Sequence, residues 1–116
     1  MLFIQYLQNN GEKVVLDAIE KPGVDLVSAK AVLADGLKHE QYVTSLIHAI
    51  YDAAYIVKDF RTMQFLNWFV KEQGEEEKNS TDQITKMELF GDDARSLYML
   101  NSELAARVYS APSLVL

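Results

Sequence analysis

Three residues carry chemistry that their surroundings do not favour. Glu40, Gln73 and Glu76 each fall on a helical stripe of otherwise apolar side chains. A carboxylate on a buried seam is costly unless a proton, a cation or a metal balances its charge. Carboxylate and amide oxygens suit hard divalent ions such as iron(II), manganese, magnesium or calcium better than zinc or copper(I). The competing reading places the three at the rim of a helical bundle, where the register of the stripe drifts. A second group, Glu72, Glu75, Glu76 and Glu77, sets Glu72 against Glu75 and Glu76 at spacings of three and four. Like charges so spaced repel by a few tenths of a kcal/mol per pair on the order of the helix-pair scale. A solvated acidic face is the plain explanation, and cation binding competes with it.

Other chemistries are excluded or unsupported. There is no cysteine, so disulfides and thiolate metal sites are absent. His39 and His48 are preceded at three residues by Gly36 and Ser45, so neither forms a Glu-x-x-His pair; both read as surface or rim histidines. No Ser/His/Asp set and no glycine-rich phosphate loop is present. The formal net charge is −6, with 17 acidic and 11 basic residues, the opposite of a nucleic-acid footprint. No apolar run is long enough for a membrane span, and the start Met1-Leu2-Phe3-Ile4-Gln5 lacks a signal-peptide pattern. The expectation is a cytoplasmic protein of one domain, residues 1–116, without nucleic-acid or membrane partners.

The elements that must position these residues are helices. Leu33, Leu37, Glu40, Val43, Ile47, Ile50, Ala54 and Val57 recur at steps of three or four, as one face of a helix requires. Ser28 suits its N-cap, and the helix is expected to run to Lys58. Asp59 suits the cap of a second helix whose stripe is Phe65, Leu66, Phe69, Val70, Gln73, Glu76, Ser80, Ile84 and Met87, with Gly91 at its end. A connection this short makes the two helices antiparallel neighbours. Residues 2–8 form a short apolar segment stopped at Gly11, residues 12–27 an extended connection with one short strand-like stretch. Beyond Asp92-Asp93, Leu97–Leu100 is a docking strip, and Asn101 is expected to cap a last short helix over residues 103–107. One hairpin cannot cover Leu33, Leu37, Val43, Ile47, Phe69 and Ile84, so association is expected.

Two blocks, Lys38-His39-Glu40-Gln41-Tyr42-Val43-Thr44 and Phe65-Leu66-Asn67-Trp68-Phe69-Val70-Lys71-Glu72-Gln73-Gly74-Glu75-Glu76-Glu77, resemble the third and fourth bundle helices of bacterial non-haem ferritins. Gly91-Asp92-Asp93 through Leu97–Leu104 resembles that family's last loop and short fifth helix. The resemblance implies an all-α, ferritin-like fold: two long antiparallel helices plus a short C-terminal helix, with the bundle completed by dimerisation or larger homo-oligomers. It implies iron (Fe2+/Fe3+) as the metal, with no haem. By position, Glu40, Gln73 and Glu76 match the second iron position of the ferroxidase centre, and Glu72, Glu75 and Glu76 an accessory third site. Leu2–Gly11 resembles the end of the family's second helix, so the Glu-x-x-His half of the centre lies outside this sequence. Iron binding and storage is therefore expected, with the family's oxidation of iron(II) by O2 impaired. The alternative is a non-catalytic helical hairpin that pairs with a full-length ferritin subunit or is a relic.

Overall fold

A computed structural model describes residues 1–23 and 25–116. The chain divides into two compact units, Met1–Asp25 with Tyr109–Leu116, and Leu26–Val108. Among the described residues all regular structure is helical, so the strand-like stretch expected between residues 12 and 27 does not form. A lone strand there has no partner for its backbone groups, and the described residues of the segment stay irregular.

The first unit contains α1, Leu2–Asn9. Its end is a Schellman turn: the Gly11 N–H donates to the Gln8 carbonyl and the Glu12 N–H to that of Leu7. Gly11 has φ 75, the left-handed conformation that this turn demands and that glycine takes at no steric cost.

The second unit is built on α2, Ala29–Ile56, and α3, Phe60–Phe90. Both start at the caps the sequence announces. The Ser28 hydroxyl accepts from the Ala31 N–H, and the Asp59 carboxylate accepts from the Thr62 N–H. At 28 and 31 residues they are about 42 and 46 Å long at 1.5 Å per residue. The turn between them is again a Schellman turn, with Lys58 N–H on the Tyr55 carbonyl and Asp59 N–H on that of Ala54. Here Lys58 takes the left-handed position, at φ 57, where a Cβ costs energy. Lys30 and Glu88, paired at 3.9 Å, mark the antiparallel register at the far end.

The buried core of the described residues is Ile47, Ala54, Phe65, Leu66 and Leu100, with Leu66 wholly enclosed at 0% exposure. Phe69 meets both Phe65 and Trp68 edge-on, at centroid distances of 5.1 and 4.9 Å. The anticipated seam is real, yet incompletely covered. Ile47 is buried, while Leu33, Leu37, Val43, Phe69 and Ile84 are half-buried. Leu46 and Ile50 on α2 and Val70 on α3 are exposed.

The C-terminal helix departs from expectation. α4 spans Ala94–Ala105 and is capped by Asp93, not Asn101, which lies inside it. The Asp93 carboxylate accepts from the Arg95 and Ser96 N–H groups and from the Ser96 hydroxyl. Asp92, Asp93 and Asn101 are all competent caps by type; the earlier start wins because it lets Leu97, Leu100 and Leu104 line one face, of which Leu100 is buried. Lys86 of α3 pairs with Glu103 of α4. α3 stops at Gly91, whose φ of −70 is right-handed; a Cβ there would stand 2.3 Å from the Met87 carbonyl oxygen, so close approach is what calls for glycine. Among the described residues, no helix is long and apolar enough to cross a membrane.

Candidate metal centre

Midway along the hairpin, the two helices exchange carbon for hydrogen bonds. Gln73 on α3 reaches across to α2, where its Nε2 lies 3.1 Å from the Glu40 carbonyl oxygen, 3.2 Å from Glu40 Oε2 and 3.2 Å from Thr44 Oγ1. Thr44 Oγ1 is in turn 3.0 Å from the Glu40 carbonyl and 3.2 Å from Glu77 Oε2. The spacing explains the set: Glu40 and Thr44 are four residues apart on α2, Gln73 and Glu77 four apart on α3, so each pair shares a face.

Two of the sequence-derived residues are thus brought together directly, Glu40 and Gln73. Glu76 is half-buried on the same stretch of α3 and, among the described residues, its side chain makes no hydrogen bond or ion pair. Glu72 is likewise half-buried; Glu75 is exposed and pairs with Lys71 at 3.7 Å. No polar or charged side chain among the described residues is fully buried. Within one chain, the described residues hold no group of three or more His, Cys, Asp or Glu side chains arranged for a metal ion. What one chain offers is a carboxylate and an amide held together, with a further acidic side chain on either side.

Thr44 and Glu77 have roles in this network that the sequence pattern did not assign. Thr44 neighbours Val43 of the stripe and reads as a boundary residue; its i+4 relation to Glu40, set beside that of Glu77 to Gln73, was the available signal.

Asp59 and Asp93, the two acidic caps, have carboxyls held below their usual range. For Asp59 the main cause is the Thr62 hydroxyl, then the Thr62 N–H; for Asp93 it is the Ser96 hydroxyl, then the Ser96 and Arg95 N–H groups.

Residues 1–90 match the ferritin-like domain family. The chain is 37% identical over 105 residues to the bacterial non-heme ferritin of Staphylococcus epidermidis (strain ATCC 35984), covering 90% of this chain and 63% of that protein. With the bacterial non-heme ferritin of Staphylococcus saprophyticus it shares 38% identity over 104 residues, 90% of this chain and 62% of that protein. A solved structure of an open pore ferritin from the hyperthermophilic archaeon Archaeoglobus fulgidus superposes with a TM-score of 0.89 at 36% identity, over 92% of this chain and 66% of that one. The chain therefore spans a little under two thirds of the length of these relatives.

Proposed function

This chain belongs to the ferritin-like family, and on that premise we propose that it binds iron(II) as its substrate and stores it, through Glu40, Gln73 and Glu76, with Glu72 and Glu75 as accessory ligands. The observation that carries this reading is the crossing at Glu40 and Gln73: an acidic and an amide side chain, on the seam where carbon is expected, held together between two long helices. All the donors are oxygen, which fits a hard or borderline divalent ion and places its affinity low in the series for such metals.

One chain presents two carboxylates and one amide of this kind. The exposed Leu46 and Ile50 further along α2 favour pairing with a second hairpin. A twofold pair of hairpins would double the oxygen set and cover the seam, the self-complementary solution for a homodimer. Four carboxylates balance the charge of two divalent ions. The set contains no imidazole, and its symmetry makes the positions equivalent. Oxidation of iron(II) by O2 is therefore slow, because rapid turnover needs two ions held close with open positions.

Oxygen consumption after iron(II) addition, followed with sedimentation of the same sample, tests the reading. We expect slow uptake by a dimer or larger species at micromolar concentration. Fast stoichiometric uptake would overturn the impaired turnover, and a monodisperse monomer would overturn the pairing. An alternative role as a non-catalytic partner of a full-length subunit predicts binding to that subunit with no iron(II) affinity of its own.

A further inference from the structure

The Gln73 amide is oriented by its surroundings. Its neighbours on α2 are a backbone carbonyl, a carboxylate oxygen and a hydroxyl, at 3.1, 3.2 and 3.2 Å. A carbonyl and a carboxylate only accept hydrogen bonds. The NH2 end must therefore face α2, and Oε1 is left as the open acceptor. An NH2 group has two protons, while three acceptors surround this one. Were Thr44 apolar, both protons would be spent on Glu40, one on its carbonyl and one on its carboxylate. With the Thr44 hydroxyl present, two protons are divided among three acceptors, so the hydrogen bond to the Glu40 carboxylate is shared and weaker than an undivided one. The arrangement requires that the single Thr44 hydroxyl proton point away from Gln73. It has two acceptors to point to, the Glu40 carbonyl at 3.0 Å and Glu77 Oε2 at 3.2 Å. A charged acceptor is the stronger of the two.

We propose that Thr44 is a positioning residue of the metal site: its hydroxyl, oriented by Glu77, competes with the Glu40 carboxylate for the Gln73 amide protons and so loosens that carboxylate for the cation, while Gln73 Oε1 stays open. This rests on the iron(II) reading above. Groups that orient metal ligands without touching the ion characteristically change affinity by about 10–100-fold when removed. Thr44 is half-buried, and valine replaces its hydroxyl by a methyl at nearly constant shape.

The test uses the full chain, with wild type, Thr44→Val and Thr44→Ser titrated with iron(II) under anaerobic conditions. In parallel, the Gln73 side-chain amide resonances are recorded in the metal-free proteins. Thr44→Val should weaken iron(II) binding at least about tenfold and move the Gln73 resonances. Thr44→Ser should restore both, which a merely structural effect of the substitution would not do. If Thr44→Val does not fold, Thr44→Ala takes its place with the same expectations. Unmoved Gln73 resonances, unchanged affinity in the valine variant, or equal losses in valine and serine variants would each overturn the positioning role while leaving the metal reading intact. A wild-type chain that does not bind iron(II) would overturn the metal reading and the positioning role together.

Discussion

Towards the turn, α2 and α3 meet through Ile47, Ala54, Phe65 and Leu66, all buried. Seven residues beyond Leu66, about 10 Å along the helix, the same two helices meet through Gln73, Thr44 and Glu40, joined by hydrogen bonds of 3.0–3.2 Å. The first region is close-packed carbon and does nothing but hold. The second is polar, leaves the Glu76 side chain without a hydrogen bond or ion pair among the described residues and contains every side chain proposed to touch a cation. A rigid clamp beside a polar, incompletely satisfied stretch is how a helical hairpin can position ligands without filling the place where a ligand must go.

The clamp breaks most easily at its centre. Leu66→Ala should cost about 2–5 kcal/mol, measured by chemical denaturation, since nothing around a fully enclosed side chain can relax into the space. A cost below about 1 kcal/mol, under the usual range for buried leucine, would mean that the clamp is not where stability resides. Next comes the turn that joins the two regions' helices. Lys58→Gly removes a Cβ from the left-handed position and should stabilise by about 1 kcal/mol, visible as a raised denaturation midpoint.

Much of the clamp is legible in the sequence. The apolar steps of three and four, Ser28 and Asp59 define both long helices to within two residues. Lys58 was not legible, because lysine is no signal for a left-handed turn; the tight connection forces it. The start of α4 was misplaced at Asn101, with Asp92-Asp93 taken for turn residues, because Asp93 and Asn101 are equally competent caps by type until Leu100 is buried. In the polar stretch, Glu40, Gln73 and Glu76 stood out for interrupting a stripe. Thr44 did not, because its partners Gln73 and Glu77 lie 29 and 33 residues away, and no single helix shows that relation. Nor does a stripe reveal how deeply a carboxylate sits, which depends on what covers the open face.

The polar stretch responds to smaller changes. Glu76→Gln removes a charge from the i,i+4 repulsion with Glu72 and should raise the stability of the metal-free chain by a few tenths of a kcal/mol on the order of such pairs. Thermal melts in chelator decide this; a lowered melting temperature would show that Glu76 has a partner of opposite charge. The smallest effect separates the helix ends from both regions. Asp59 and Asp93 have depressed carboxyl pKa values in the folded chain. Their contribution is therefore complete above the ordinary carboxyl value of 3.8 and is lost as pH falls through the lower folded value. Asp59→Asn keeps a capping oxygen and removes the titration, so it should flatten the acid limb of a stability–pH curve while leaving neutral stability nearly unchanged. An unaltered acid limb would place the acid sensitivity elsewhere.

The central claim is that this polar stretch, and not the acidic surface at large, binds the metal. Anaerobic calorimetric titration of iron(II) into wild type and into the Glu40→Ala, Glu76→Ala double variant tests it most directly. The account predicts weak but saturable binding by the wild type and its loss in the double variant, with helix content unchanged. Equal affinity in the two proteins would contradict it.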